Sequence, residues 1–498
     1  MRKYIWGRIL RSIISIFLVT TIAMIMIYTQ IPREKIFKND STYTKLGGDA
    51  DAKTEYKYTK WEKLGYLDFV EQKDMCAVYT GSEYNACMEV DSDAVKTIVQ
   101  DYVNKGYTSA VYTKNGLAYV YKDKPVLNIV WNFYHNMFQL DNPGRVTDPD
   151  NPNLERKVYA GKDYAGNFAI MCSGCDHKYL LYFDGSFPWI HQNFIMFSLG
   201  TSYPTYDGQL ITDVIGTGQG TDVMTQKTFE TGQTSKSALL LHSCTYKQTS
   251  TLDRLDKNKF NDNYAYCSSQ KSDPSMISQS MLFGTLALLI AYVLSIPAGM
   301  SMASHKGQLR DKIGTVYINF MIAVPSLAFI FLARVLFSSL FALPDKFSIL
   351  GAHDVRSYVL PIITLALLDT SSIMLWTRRY MIDQSSADYV KFARAKGLSQ
   401  REIFTHHIMR NAIIPIAQSL PSNIILTICG AVITETVFAI PGTGKLLPDA
   451  IKAYNNQMIV ALTLIFTALS IFSVLLGDLL ITWLDPRIQL VDKEGGAV

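Results

Sequence analysis

The sequence predicts an α-helical polytopic membrane protein, with six membrane-spanning helices and an α+β domain inserted after the first. Three observations carry this. Apolar residues make up 48% of the 498-residue chain, and many are gathered into runs of near-bilayer length; about 20 such residues cross a bilayer as a helix. From Arg33 to about Ser275 no stretch is apolar enough to span, and Tyr, Asp, Asn and Lys abound. Lys and Arg in the short connections gather on one side, as topology set by positive charge requires. The chain divides into residues 1–32, the N-terminal end and first span; 33–275, the inserted domain; and 276–498, five further spans with a charged connection over 378–415.

The first span opens behind Arg2, Lys3, Arg8 and Arg11 and covers roughly Ile9–Tyr28. A cleaved secretory signal also begins with cations. Here, however, the run is long enough to span, no A-x-A site follows, and it ends at Gln30-Ile31-Pro32, so an uncleaved helix is expected. The other runs are roughly Met281–Met302, Val316–Phe337, Val359–Trp376, Ser419–Phe438 and Ile459–Trp483. One side of the membrane collects the N-terminal cations, Lys306, Arg310, Lys312, Arg378, Arg379, Lys391, Arg394, Lys396, Arg401, Arg410, Arg487 and Lys493. The short loops of the other side hold Lys346, Arg356, Lys445 and Lys452. The richer side is read as cytoplasmic, which places both termini inside and the insert outside. The net charge of +4 is small, and no nucleic-acid partner is expected.

Inside the insert, Ser92 begins a pattern (Ala94, Val95, Ile98, Val99, Tyr102) that stops at Gly106, an amphipathic helix with a glycine end. Ala110-Val111-Tyr112 and Leu117–Tyr121 flank Asn115-Gly116, a hairpin signal. Phe168–Met171 and Tyr179–Phe183 read as strands around Cys172-Ser173-Gly174-Cys175. Six of the seven cysteines fall between Cys76 and Cys267. An oxidising compartment permits disulfides, and six cysteines allow fifteen pairings. Sequence neighbours are favoured: Cys76–Cys87, Cys172–Cys175 and Cys244–Cys267. With His177 nearby, C-S-G-C also has the look of a redox or zinc site, but a zinc site needs a second ligand pair at motif spacing and none is evident. No metal is expected. Cys429 reads as a small apolar residue in a span.

The charged connection Ser385–Pro415 reads as two short helices with a break. Ser385 is placed as the first cap, with Asp388 three residues on as its reciprocal partner; Gly397 ends the first helix, and Ser399 with Glu402 forms a second capping box. A helix through Ile403, Phe404 and His407 follows, and Pro415 marks the start of the next apolar run. Such an elbow is suited to docking into another protein's groove. Three intramembrane charges stand out, because each costs roughly 2.5–3.5 kcal/mol at the bilayer centre and needs a partner or water. Asp369 lies near mid-span, and Arg334 and Glu435 toward the outer ends. They are candidates to line a translocation path; the alternative is pairing between helices or snorkelling to the outer interface. Pro441–Lys445, PGTGK, lacks the first glycine and the final Ser/Thr of a phosphate loop and reads as a structural turn. No nucleotide-binding motif or catalytic constellation appears, so no catalytic residue or resident cofactor is expected and the chain cannot energise transport alone.

The stretch ARAKGLSQREIFTHHIMRNAIIP resembles the cytoplasmic EAA loop of ABC importer permeases, in its oligopeptide/dipeptide form. Ile433–Ile451 (ITETVFAIPGTGKLLPDAI), Leu475–Ile488 (LLGDLLITWLDPRI) and Phe197–Ile215 extend the likeness, which covers the membrane part but not the insertions, about Phe37–Ile190 and Gly216–Pro274. Lys391, Phe392 and Ala393 stand where the general pattern has an acid and two alanines, as in the peptide-transporter branch. The resemblance is to the B-type permease of the oligopeptide permease family, with a large extracellular insertion as in Gram-positive oligopeptide transporters, and it implies a type I ABC importer permease fold. It further implies a second homologous permease, two cytoplasmic ATPases that carry ATP and Mg, and an extracellular peptide-binding lipoprotein that delivers oligopeptide. Phe392, Ala393, Ala395, Gly397, Leu398 and Glu402 would form the ATPase-coupling elbow. Glu435 falls in the recurring ETVF…PG segment. Two rival readings are an ion-driven secondary transporter, for which Asp369 is the one candidate acid, and a membrane-anchored receptor with an external sensing domain.

Overall fold

The structure, a computed structural model, describes residues 2–185 and 189–484. The motif end Asp485–Ile488 and the cations Arg487 and Lys493 lie outside them. Four helices among the described residues are long and apolar enough to cross a membrane: Trp6–Gln30, Met276–Ser304, Arg356–Ser385 and Asn456–Leu484. The first begins at Arg2, so Arg8 and Arg11 lie within the helix rather than ahead of it.

The two other expected spans are not straight. Val316–Phe337 is divided between helices Leu309–Ala323 and Ser326–Phe341, which meet at 107°. Pro325 is the cause: it lacks an N–H and drives the residue before it out of the helical region, and Val324 is extended (φ −78°, ψ 127°). Ser419–Phe438 is also broken. Helix Met409–Leu426 enters it, a tight turn over Thr427–Cys429 follows, Gly430 takes φ 77°, and a short helix Val432–Phe438 completes it. The left-handed glycine stops one helix where L-residues would be strained. Helix Met276–Ser304 presses on this break, since a Cβ at Gly284 would lie 2.5 Å from Thr427 Cβ.

Small residues let the long helices meet closely, the usual way helices pack where lipid removes the hydrophobic drive. Ser295 Oγ donates to Thr370 O at 3.0 Å, and a Cβ at Gly299 would fall 2.7 Å from Thr377 Cβ. Arg378 grips buried Asp311 through Nε (2.6 Å) and Nη2 (2.9 Å), tying the end of one helix to the start of another. The first helix lies antiparallel to Asn456–Leu484, with Arg8 paired to Asp478 and Met24 packed on Val460.

Among the described residues the inserted region holds five antiparallel sheets, three of them two-stranded ribbons and two larger. One larger sheet has the order Leu67–Glu71, Ala118–Asp123, Thr108–Val111. It covers an aromatic core of Phe37, Trp61, Tyr66, Phe69, Tyr112 and Tyr119 that Tyr203 joins. The expected helix is Asp93–Asn104, capped by Ser92 and ended before Gly106 at φ 85°. The expected hairpin forms, but its loop is longer than Asn115-Gly116. Val111 pairs with Ala118, and Asp51 accepts from the amides of Thr113, Lys114 and Asn115 at 2.7, 2.6 and 3.3 Å, so a carboxylate from another helix organises the wide loop. The other larger sheet runs Lys157–Lys162, Phe168–Ser173, Tyr179–Phe183, Ile190–Gln192. Cys76–Cys87, Cys172–Cys175 and Cys244–Cys267 are disulfide-bonded. Cys429 is a free thiol.

Candidate functional site

Three groups of residues bear on function: the elbow, a cleft among the long helices, and a turn built on Glu435. The elbow departs from expectation at its start. Helix Arg356–Ser385 continues to Ser385, whose Oγ donates back to Ile382 O at 2.6 Å. The hydroxyl is thus spent on the preceding turn, and Ala387 occupies the cap position of the Asp388–Ala395 helix. Asp388 remains in the first turn, where a carboxylate complements the helix dipole. The end follows the glycine pattern closely. Gly397 has φ 80°, its N–H meets Arg394 O at 3.0 Å, and Leu398 N–H meets Ala393 O at 3.3 Å, the paired bonds of a Schellman end.

Ser399 and Glu402 then cap each other: Ser399 N–H donates to Glu402 Oε2 (2.9 Å), and Glu402 N–H to Ser399 Oγ (3.3 Å). The Ser399 hydroxyl and amide hold the Glu402 carboxyl below its ordinary value. Beyond it, Ile403–Ile408 is wound as a π-helix and runs on into Met409–Leu426, so Pro415 lies inside a helix rather than at its start. Membrane helices tolerate such a proline because neighbouring elements re-satisfy the freed carbonyl.

The residues singled out on the elbow face two ways. Ala393 is 5% exposed and packs with Val390, Met381, Ile403 and Ala412. It holds the elbow to its own chain rather than standing out from it. Phe392 is 64% exposed with Lys396 Nζ 4.9 Å from its ring centre, and Leu398 and Ala395 are exposed beside it. An exposed aromatic ring flanked by cations makes an outward face of the kind a protein groove accepts.

Asp369 opens into a cleft of about 320 Å³. Ser372, Asn423 and Thr427 share its lining with Gly284, Gly430 and Ala431. Asn423 donates to Tyr292 Oη at 2.8 Å. The break at Gly430 therefore forms part of the cleft wall. Arg334 and Glu435 are elsewhere. Arg334 donates to Val437 O (3.0 Å) and to Asp345 (2.7 Å), joining a helix to the end of the Val432–Phe438 turn.

Glu435 is 2% exposed. It accepts from Ser280 Oγ at 2.7 Å and from Lys445 N–H at 2.9 Å. The helix Thr443–Ala453 begins with Gly442, which has no side chain to cap it, and Glu435 supplies the missing acceptor from a distance. Glycines make room for it: a Cβ at Gly442 would lie 2.4 Å from Glu435 Oε2, and one at Gly430 2.3 Å from Oε1. PGTGK is thus the glycine-lined lid of a buried carboxylate.

Sequence reasoning missed two fastenings. One is Asp311–Arg378, since both residues sit among charges read only for topology. The other is the amide run Asn455-Asn456-Gln457. Asn455 Nδ2 donates to Ser202 Oγ (2.8 Å), Asn456 Nδ2 to Tyr66 Oη (2.9 Å), and Gln457 Nε2 to Leu64 O (3.0 Å) while its Oε1 accepts from Thr201 N–H (2.8 Å). They pin the inserted region to the head of the last long helix. Three consecutive amides opening an apolar run were the available signal.

A family model described as a binding-protein-dependent transport system inner membrane component matches residues 295–490. The oligopeptide transport system permease protein AmiC of Streptococcus pneumoniae is 42% identical over 501 residues, 99% of this chain and 100% of its own length. That match runs through the insert, which the membrane-part resemblance alone did not reach. The dipeptide transport system permease protein DppB of Lactococcus lactis subsp. cremoris is 32% identical over 220 residues, 43% of this chain and 72% of its own. A solved MetNI methionine ABC transporter in an inward-facing conformation aligns at TM-score 0.34 and 13% identity, over 42% of this chain and 94% of that one, a likeness too slight to carry weight. These matches, with the long apolar helices, show a multi-pass membrane component of a transport system. More narrowly, the chain belongs to the family of oligopeptide transport system permeases.

Proposed function

We infer that the chain is the membrane-spanning subunit of an ATP-driven importer that takes oligopeptides across the bacterial cell membrane. The observation that carries this is the full-length similarity to AmiC. Six crossings result if each broken element counts as one, with both termini and the elbow cytoplasmic and the insert extracellular. The assembly comprises a second homologous permease, two cytoplasmic ATPases binding ATP and Mg, and an extracellular peptide-binding lipoprotein that docks over the insert. Phe392, Ala395 and Leu398 seat in an ATPase groove, and Gly397 and Glu402 set the angle at which they are presented. Closure of the ATPases moves the elbow, and the long Arg356–Ser385 helix transmits that movement to the cleft. Asp369 faces the passing peptide there, while Arg334 and Glu435 hold the walls.

The test is uptake of labelled oligopeptide into proteoliposomes holding the full assembly. Uptake is expected to require ATP and to persist when ion gradients are collapsed. Uptake driven by an ion gradient without ATP overturns the reading in favour of a secondary transporter.

A further inference from the structure

The inserted region is richly charged, yet two of its stretches are not. From Pro125 to Leu140, PVLNIVWNFYHNMFQL, there is no Asp, Glu, Lys or Arg, and the same holds from Trp189 to Leu199. The fold brings these stretches together. Phe138–Leu140 pairs antiparallel with Ile195–Phe197, and the rings of Phe138 and Phe197 lie 5.1 Å apart. The helix Val126–Met137 leads into this ribbon.

That helix packs along the first membrane helix. Val130 clusters with Met24, the Tyr134 ring lies 4.9 Å from the Phe17 ring, and Tyr134 Oη is 3.0 Å from Thr21 Oγ1. Phe17, Thr21 and Met24 belong to the Trp6–Gln30 segment, whose apolar length suits a bilayer. At 1.5 Å per residue, Thr21 lies about 10 Å along the helix from Tyr28. An interfacial amphipathic helix immerses its apolar face by roughly 5–10 Å, so the Val130–Tyr134 turn is at bilayer depth.

The outward side of these elements is apolar and uncovered. Leu127 and Trp131 are each 70% exposed, one helical turn apart, and Phe138 and Leu140 are 63% and 65% exposed. Ile195 and Phe197 continue the patch on the paired strand. A contiguous apolar surface of this kind marks an interaction site. Its upper edge is charged: Trp131 borders a hollow whose rim carries Lys122, Asp123 and Lys124. A tryptophan below a lysine-bearing rim is the arrangement found at a membrane–water interface.

We propose that the insert is anchored in the lipid bilayer itself, with Leu127, Trp131, Phe138, Leu140, Ile195 and Phe197 immersed among acyl chains of the leaflet on the insert's side. The occupant is lipid because the patch lies beside a membrane-spanning helix, at that helix's depth. The inference rests on the first helix crossing the membrane, not on what the protein transports.

The test uses the full transporter in nanodiscs with Cys429→Ser. Spin labels are placed by Trp131→Cys and, as a control, by Tyr266→Cys, an exposed position in the disulfide-bonded lobe. Relaxation by oxygen, which concentrates in lipid, is compared with relaxation by a water-soluble nickel chelate. Position 131 is expected to favour oxygen several-fold and position 266 to favour nickel. If position 131 behaves like position 266, lipid anchoring is wrong. If position 131 is water-exposed and becomes shielded only when a binding protein is added, the patch is a protein-docking surface and the proposal is equally overturned. Should Trp131→Cys fail to fold, brominated-lipid quenching of the wild type against Trp131→Phe gives an independent reading. Loss of a quenchable component in the variant is expected, and identical quenching overturns the idea. Both readings need no peptide, so they stand or fall apart from the transport function.

Discussion

Replacing Glu435 by Ala separates a wall from a pathway. In the structure the carboxylate is the acceptor for Ser280 Oγ at 2.7 Å and Lys445 N–H at 2.9 Å, in a site 2% exposed. Each buried donor left without an acceptor costs about 1–3 kcal/mol, so Glu435→Ala should destabilise the protein by about 2–6 kcal/mol. Glu435→Gln keeps one acceptor oxygen and should cost visibly less. Gly430→Ala should resemble Glu435→Ala while keeping the carboxylate: it adds about 1–2 kcal/mol of left-handed strain and drives a Cβ to 2.3 Å from Glu435 Oε1 and 2.6 Å from Gly444 N, displacing the acid from its donors. The assay is thermal unfolding of the purified transporter in mild detergent, with peptide uptake measured in parallel. A Glu435→Ala variant that melts like the wild type but transports no peptide refutes the wall and returns Glu435 to the translocation path.

Other outcomes are expected. Phe392→Asp should abolish co-purification with the ATPases while leaving the melting temperature unchanged, because the ring is exposed; Ala393→Leu should instead lower the melting temperature, because overpacking costs about 1–3 kcal/mol of stability. Gly397→Val should insert normally yet uncouple ATP hydrolysis from transport, since nothing lies within 4 Å of a Cβ there and the effect is purely on backbone angle. Asp369→Asn should reduce peptide uptake with no loss of thermal stability; a large drop in stability would mark it as a packing residue. In the insert, partial burial desolvates Asp40, but hydrogen bonds from Tyr203, Tyr56 and the Tyr43 and Thr42 amides hold its carboxyl below the ordinary value. A carboxyl lowered on folding contributes stability above its unfolded value, near pH 4, and loses it as pH falls through the folded value. Tyrosine and tryptophan fluorescence should therefore report loosening of the aromatic core below about pH 4, and Asp40→Asn should remove that acid step.

The sequence by itself determined what depends on local rules. The long spans follow from runs of apolar residues, because a bilayer sets the length a helix needs. The Gly397 break and the Ser399–Glu402 box follow from residues three or four apart, as does the Ser92–Gly106 helix. What the tertiary structure decided depends on residues far apart in the chain. Whether Val316–Phe337 and Ser419–Phe438 ran straight was not visible in their apolarity, since proline and glycine occur in both straight and broken membrane helices. Pro325 turns one chain through 107°, whereas Pro415 is carried inside a continuous helix, and only the packing around each tells them apart. Ser385 had the right neighbours for a cap, yet the preceding helix extended far enough to claim its hydroxyl. Ala393 and Phe392 are adjacent and both read as contact residues; the fold of the elbow buries one and exposes the other. Arg334, Asp369 and Glu435 looked alike as charges in apolar runs. Partners brought in from 103, 155 and 10 residues away bind Arg334 and Glu435 into walls, while Asp369 faces a cleft. Burial of a charge is a property of the assembled fold, and no spacing in the sequence encodes which partner will arrive.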